Sequence, residues 1–225
     1  MSVITITREF GSGGNVIAKQ VARNLGCHFV DNDVIGRVLA QYGLAEFQEE
    51  YDADPPGFLA RFDAQRMERR DRMVEMLNKT MLALAHHGNM VILGRSGFAV
   101  LGRYADVLNV RVQAPLPARA RHVMQDQHLA DPAQAETIVK EGDKIRAAFV
   151  ESFYGTRWDA ADAFDVIVDT EKVPPDMAAA WLVAAGKSLQ ERSPDSAQTT
   201  RAIQPDSVLA AAVDYELQCD VRHTR

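Results

Sequence analysis

Apolar and polar positions near the start of the chain change their spacing within a few residues. The β-branched run at 3–6 is typical of a buried parallel strand. It is followed by the glycine-rich stretch at 11–14, after which apolar residues recur at the spacing of a helix from Val16 to Leu25. Strand, glycine loop and helix in this order direct backbone N–H groups and a helix N-terminus toward one point. This pattern predicts an α/β domain that binds phosphate or a nucleotide.

Strand-like and helix-like segments continue to alternate along the chain. The pattern predicts further strands at 27–31, 89–93, 107–112 and 164–170, and helices at 34–41, 58–87, 132–149 and 175–189, with another around Arg119 and Arg121. Alternation of this kind favours a five-stranded parallel sheet with helices on both faces. Ligands of such sheets bind at the carboxyl ends of the strands, where we expect Gly11, Asp31, Arg95 and the segment after Thr170 to gather.

The chain divides into a main domain at 1–189 and a C-terminal segment at 190–225. Within the main domain, residues 42–87 combine an acidic, proline-containing loop with a long charged helix, which indicates an insertion. The methionines of that helix are expected to fill the core. The C-terminal segment consists of a polar linker and one amphipathic helix at 207–217, which docks either on the domain or on a partner.

Composition narrows the class of protein. The chain has 225 residues, 47% of them hydrophobic, and a net charge of −6, which argues against a broad nucleic-acid-binding face. Its two cysteines, Cys27 and Cys219, match no metal-binding spacing and suit a reducing compartment. No apolar run is long enough to cross a membrane, and the first strand begins where a signal peptide would lie. We therefore expect a cytoplasmic protein.

The glycine loop departs from the usual phosphate-binding pattern G-x-x-x-x-G-K-[ST]. When Gly13 is aligned with the second glycine, Gly14 stands at the lysine position, Asn15 at the hydroxyl position and Arg8 at the first glycine. Arg8 has two interpretations that the sequence does not rank. It forms an ion pair with Glu9 or another neighbour, or it replaces the lysine.

Four motifs, in order along the chain, resemble the cytidylate kinase-like family. They are the segments 7–14, 91–95, 143–146 and 153–158, and the resemblance spans about residues 3–187. It implies a three-layer P-loop fold like that of nucleoside monophosphate kinases. It also implies ATP-dependent phosphoryl transfer to a nucleoside monophosphate, with CMP or dCMP as the first candidate acceptor and with ATP and Mg²⁺ as the cofactors.

The resemblance also implies roles for individual residues. The phosphates of ATP are assigned to the loop residues Arg8, Gly11, Ser12, Gly13, Gly14 and Asn15. The acceptor nucleotide is assigned to Asp31, Arg37 and Arg95. The transferred phosphoryl group is assigned to Lys144, Arg146 and Arg95, with 132–158 as a lid and 42–87 as the acceptor-side insertion. Each has a structural alternative: Arg37 and Arg146 as partners in surface ion pairs, Asp31 and above all Asp33 as helix caps.

Other departures from the family pattern leave alternatives open. Ser96 and Leu93 stand where cytidylate kinases carry acidic residues near magnesium, so we assign no metal ligands. The chain could therefore be a non-catalytic nucleotide-binding module, or a kinase of another small metabolite. We expect nucleotides as partners, with no nucleic acid and no membrane. The long helix or the C-terminal tail is the candidate surface for self-association.

Overall fold

The computed structural model describes residues 3–44, 64–191 and 198–223. Its strands are β1 (Val3–Arg8), β2 (His28–Val30), β3 (Met90–Leu93), β4 (Val107–Gln113) and β5 (Val166–Asp169). They form one five-stranded sheet in the order β2-β3-β1-β4-β5, and every neighbouring pair is parallel. The predicted five-stranded parallel sheet is confirmed.

The helices are α1 (Gly14–Leu25), α2 (Asn32–Ala40), α3 (Ala64–His87), α4 (Gly97–Leu101), α5 (Leu116–Gln127), α6 (Pro132–Tyr154), α7 (Pro175–Glu191) and α8 (Ser207–His223). The α6 helix continues past its predicted end at Phe149 to Tyr154, and Gly155, with φ of 61°, ends it in a left-handed cap. The short α4 was not predicted, because five residues are too few to show a periodic pattern. Outside the described residues lie 45–58 of the loop predicted at 42–58, and 58–63 of the helix predicted at 58–87.

Helices cover both faces of the sheet, as predicted. In β3, Met90 and Ile92 belong to the core beneath α2, α3 and α8, whereas Val91 and Leu93 belong to the core beneath α1 and α7. Side chains of a strand alternate between the two faces, so a strand covered on both sides has an unbroken apolar sequence. The carboxyl ends of β1 and β3 emerge between these layers, next to the start of α1.

The C-terminal segment packs on the same chain. Leu209, Val213 and Leu217 of α8 are buried with Leu77 of α3 and Val38 of α2. The domain boundary at 189 stays a prediction, but α8 completes the core that α2 and α3 begin.

Hydrogen bonds to Asp106 hold the segment that precedes α8. The backbone N–H of Thr200 donates to Asp106 at 2.8 Å, and its hydroxyl donates to the same carboxylate at 2.6 Å, which anchors the segment that leads into α8.

The predicted core role of the methionines in the long helix α3 is confirmed for Met73 and Met81, which are 3% and 0% exposed. Within the three described ranges, no helix combines the length and the apolar character that a membrane span requires.

Candidate functional site

The loop between β1 and α1 holds its own shape through Ser12. The Ser12 hydroxyl donates to the Glu9 carbonyl at 2.9 Å and lies 3.2 Å from the Val112 carbonyl, and the residue is 1% exposed. The side chain of Ser12 therefore faces the protein interior. The first N–H groups of α1, at Gly14 and Asn15, have no carbonyl partner within the helix and lie at its positive end, which suits an anion.

A cavity of about 340 Å³ lies between this loop and α5, and we call it the donor cavity. Its volume is in the range of small-molecule binding sites, about 300–1,000 Å³. Its lining consists of Arg8, Glu9, Phe10, Gly11, Gly13, Gly14, Asn15 and Val16 from the loop side, His122, Val123, Gln125, Asp126 and Gln127 from α5, and Arg146 from α6. Every residue assigned to ATP phosphates except Ser12 borders this cavity.

A second, much smaller cavity of about 10 Å³ lies at the carboxyl ends of β1 and β3, and we call it the arginine cavity. Arg8, Arg95 and Arg146 line it, and no acidic residue stands among the described residues that do so. The rest of the lining is Thr7, Gly94, Ser96, Phe98, Val150 and Trp158. Because Arg8 and Arg146 also line the donor cavity, the two cavities adjoin at these side chains.

The turn that presents Arg95 is strained. Gly94, Arg95 and Ser96 have φ of 75°, 53° and 59°, so three successive residues adopt the left-handed conformation. For the two that are not glycine this costs roughly 1–3 kcal/mol each. Arg95 is 2% exposed, and the buried Ser96 hydroxyl has no hydrogen-bond partner within the part of the chain that the structure describes. Strain and an unsatisfied hydroxyl at one place are typical of a ligand site.

A network of charged side chains behind the loop was missed by the sequence analysis. The Glu9 carboxylate accepts hydrogen bonds from Arg111 and from the N–H of Ala114, both at 3.1 Å. The oxygen that accepts from Ala114, Oε2, also lies 3.3 Å from Nε of Arg119, and Arg119 pairs with Asp143 as well. Glu9 thus joins β4 and α5 to the loop, and the hint in the sequence was an acidic residue next to a loop predicted to bind phosphate.

Asp143 ties α6 to the same loop. It accepts a hydrogen bond from the N–H of Phe10 at 2.8 Å, and it lies 3.6 Å from Arg146. The Arg146 guanidinium stacks over the Phe10 ring at 5.1 Å, and Gly142 leaves room for that ring because a Cβ there would lie 2.8 Å from it. These contacts direct Arg146 toward the place where the cavities meet.

The remaining predicted residues lie elsewhere. Asp31 caps α2 by accepting from the N–H groups of Asp33 at 3.0 Å and Val34 at 3.3 Å. The capping alternative is therefore confirmed for Asp31 and wrong for Asp33. The Nε of Arg37 donates to Glu216 of α8 at 2.8 Å. Lys144 is exposed on α6. Neither Arg37 nor Lys144 lines the donor cavity or the arginine cavity.

The loop offers little to a magnesium ion. Asn15, at the position of the usual metal-binding hydroxyl, directs its side-chain oxygen to the Nε of Arg8 at 3.3 Å. Among the described residues, no group of three or more His, Cys, Asp or Glu side chains is placed to hold a metal ion. The described residues therefore form no dedicated metal site. Mg²⁺ that accompanies ATP would be held chiefly by phosphate oxygens and water.

A five-stranded parallel sheet with helices on both faces, whose first strand leads through a glycine-rich loop into a helix, defines an α/β protein of the P-loop kinase-like architecture. Residues 3–172 match the model of the cytidylate kinase-like family, and the chain belongs to this family.

Similar proteins agree with this assignment. The cytidylate kinase of Ignicoccus hospitalis is 31% identical over 179 residues, which cover 78% of this chain and 94% of that protein. The cytidylate kinase of Pyrobaculum aerophilum is 28% identical over 173 residues, covering 76% and 84%. An uncharacterized protein from Eubacterium ventriosum has a crystal structure that superposes with a TM-score of 0.62 at 19% identity, covering 85% of this chain and 100% of that one. That last likeness concerns the fold alone.

Proposed function

We propose that this protein transfers the γ-phosphoryl group of ATP to a nucleoside monophosphate, with CMP or dCMP as the preferred acceptor. The observation that carries the proposal is the convergence of Arg8, Arg95 and Arg146 on the arginine cavity, which adjoins the donor cavity at Arg8 and Arg146. Family membership and the cytidylate kinases among its relatives support the choice of acceptor.

Phosphoryl transfer requires in-line positioning and positive charge around the transferred oxygens, and little covalent chemistry from the protein. In this proposal the loop and the N-terminus of α1 hold the phosphates of ATP in the donor cavity. Arg95 holds the acceptor phosphate, while Arg8 and Arg146 contact the group in transit. A guanidinium suits this task because its planar donors match phosphate oxygens and it stays charged at every working pH.

The arginine cavity is too small in this conformation to hold a phosphate group. Its volume of about 10 Å³ leaves room for one water molecule, far less than a phosphate group needs. Arg146 and Val150 of α6 form one of its walls. We therefore propose that α6, within the predicted lid at 132–158, moves away to admit the acceptor and closes again to exclude water. Lys144, exposed on the same helix, stays a proposed contact of the closed complex.

Asp31 and Arg37 also stay proposed contacts of the acceptor. Arg37 would have to exchange Glu216 for the acceptor phosphate, because the carboxylate is now its hydrogen-bond acceptor. Mg²⁺ would enter as the ATP complex and offset phosphate charge, and the steps assigned to protein residues do not depend on it.

The test is a kinase assay with a blocked loop as the control. Purified protein with ATP and Mg²⁺ should convert CMP or dCMP to the diphosphate, faster than UMP or AMP, as measured by chromatography. Gly13→Asp is the matched control. Gly13 has φ of 77°, which strains any other residue, but the space for a Cβ is open and aspartate is among the side chains found most often at this φ after glycine. Its carboxylate would repel phosphate at the start of α1. Diphosphate formation no greater than in this variant would contradict the proposal.

A second candidate is a module that binds nucleotide without turnover. The positions of the lysine and the metal-binding hydroxyl, occupied here by Gly14 and Asn15, favour it. It predicts that ATP raises the melting temperature, since a ligand of the native state stabilises that state, while no diphosphate forms with any acceptor. ADP formation that requires an acceptor other than a nucleotide would instead identify a metabolite kinase.

A further inference from the structure

Arg8 and Gly14 stand at exchanged positions of the phosphate-binding pattern. The first position, usually glycine, is Arg8, and the usual lysine position is Gly14. We infer that Arg8 is the cation that contacts the terminal phosphates of ATP in place of the missing lysine. The lack of side chains at Gly14 and Gly94 leaves the space through which Arg8 reaches those phosphates. This inference deepens the proposed function, on which it rests for the identity of the ligand.

The space beside Gly14 is filled by Arg8. A Cβ at Gly14 would lie 2.5 Å from the Cβ of Arg8 and 3.0 Å from its Cγ. Real Cβ atoms do not approach other atoms so closely, and the contacted atoms belong to the stem of Arg8 near its backbone rather than to a flexible end. A lysine at position 14 is therefore incompatible with the present conformation of Arg8. The two departures from the pattern depend on each other.

The far end of Arg8 lies against the turn after β3. A Cβ at Gly94 would lie 2.1 Å from Nη1 of Arg8 and 3.1 Å from its Cζ. The side chain thus runs from the start of α1 to the carboxyl end of β3. That course explains why Arg8 lines both the donor cavity and the arginine cavity. A phosphoryl group that passes between the two cavities has to pass this guanidinium.

Asn15 supports the same arrangement. Its side-chain oxygen accepts a hydrogen bond from Nε of Arg8 at 3.3 Å. The position that usually supplies a metal-binding hydroxyl therefore orients the arginine. The terminal nitrogens of the guanidinium lie beside Gly94, where an added Cβ would be 2.1 Å from Nη1 and 3.6 Å from Nη2. The Arg8 side chain therefore accounts for both residues that depart from the usual pattern at the start of α1, Gly14 and Asn15.

The experiment is a double-exchange cycle measured by calorimetry. The variants are Arg8→Gly, Gly14→Lys and the double exchange, which restores the usual order of glycine and lysine. The probes are ATP, AMP and inorganic tripolyphosphate. We expect Arg8→Gly to weaken ATP and tripolyphosphate binding about 10- to 100-fold, as for the loss of a hydrogen-bonded charge, and AMP binding much less.

The second single variant and the control complete the cycle. We expect Gly14→Lys alone to weaken ATP binding through its clash with Arg8, and the double exchange to restore affinity to within about threefold of the original protein, within the context-dependence of such contacts. Lys19→Ala is the matched control. Lys19 is an exposed cation on α1 that lies 5.7 Å from the Phe29 ring and lines neither cavity, so its removal should leave every affinity unchanged.

Two results would overturn the inference. One is an Arg8→Gly protein that binds ATP as tightly as the original. The other is a loss that is equal for AMP and ATP, which would indicate a structural role for Arg8. If Arg8→Gly does not fold, the double exchange decides alone: a folded double variant that binds ATP supports the inference, and a folded one that does not contradicts it. Tight, Arg8-dependent ATP binding without any turnover would refute the proposed kinase activity and leave this inference standing.

Discussion

The sequence analysis assigned both Arg95 and Arg37 to the acceptor phosphate, yet the structure places them in opposite surroundings. Arg95 is 2% exposed and lines a cavity without any acidic residue among its described walls. The Arg37 side chain is 45% exposed and forms an ion pair with Glu216, a carboxylate from the other end of the chain. The comparison teaches that an arginine at a family position indicates a phosphate site only when the rest of the fold leaves its charge facing a cavity.

Solvent makes the two cases physically different. A charge in the interior interacts strongly with whatever ion occupies the adjoining space, because little water is present to screen it. Water screens the Arg37 side chain, which is 45% exposed, although the side chain of its partner Glu216 is only 10% exposed. We therefore expect changes around Arg95 to have large effects on activity, and changes around Arg37 to have small ones.

The largest effect is expected from Arg95→Lys. Lysine keeps the charge but loses the planar pair of donors, so kcat/KM should fall about 10²- to 10³-fold, as when one donor to a developing charge is lost. Steady-state assays with the best acceptor would measure it. Arg103→Lys is the control, since Arg103 is exposed beside the Tyr104 ring, 5.1 Å away. An unchanged kcat/KM in a folded Arg95→Lys protein would remove the basis of the comparison.

A smaller effect, this time on stability, is expected from Asp143→Asn. The amide cannot replace the charge that now faces Arg119 and Arg146, and it weakens the bond from the N–H of Phe10. The free energy of unfolding should fall by about 2–3 kcal/mol in urea titrations. Glu136→Gln is the matched control, because Glu136 pairs with Lys140 on the exposed face of α6 and should cost less than about 0.5 kcal/mol. Equal losses in both variants would show that the link between α6 and the loop adds nothing.

Glu216→Gln tests the other half of the comparison. Removal of the carboxylate charge frees Arg37 from its competitor, so the KM for the acceptor should fall about two- to fivefold with little change in kcat. Asp214→Asn serves as the control, since Asp214 lies on the same helix and faces only His87 at 3.6 Å among its ion-pair contacts in the described chain. A KM that stays the same or rises would mean that Arg37 has no part in acceptor binding.

The smallest effect is expected at an ion pair that is exposed on both sides. The Arg157 side chain donates two hydrogen bonds to Asp159, at 3.0 and 2.9 Å, and this lowers the pKa of Asp159. A carboxyl whose pKa is lowered by folding stabilises the protein above its ordinary pKa, and the contribution disappears as the pH falls through the lowered value. Asp159→Asn should therefore melt slightly below the original protein at neutral pH and at the same temperature in strong acid. A gap in melting temperature that persists in acid would assign the difference to packing.

Interactions between neighbours in the chain were predictable. Apolar runs, the helix signals and the glycines at 11–14 predicted the parallel sheet, its strands and the loop at its edge, because strand and helix periods follow from local backbone geometry. The placement of Arg95 at the end of β3 followed from the same reasoning, since all parallel strands end at one edge.

Interactions between distant residues were not predictable. Glu216 lies 179 positions from Arg37, and Asp143 lies 133 positions from Phe10, so no local period relates them. For Arg8, one property was predictable from the sequence and another was not. Its unusual position was visible in the sequence, but its path over Gly14 and Gly94 was not.

The sequence by itself determined how strands and helices alternate along the chain, the loop at the start of α1 and the family. Each of these follows from residue patterns that span only a few positions. Only the tertiary structure decided which arginines share a cavity and which one a carboxylate from α8 holds. The physical reason is that charge and hydrogen-bond contacts act over a few ångströms in space, and folding alone determines which parts of a chain come within that distance.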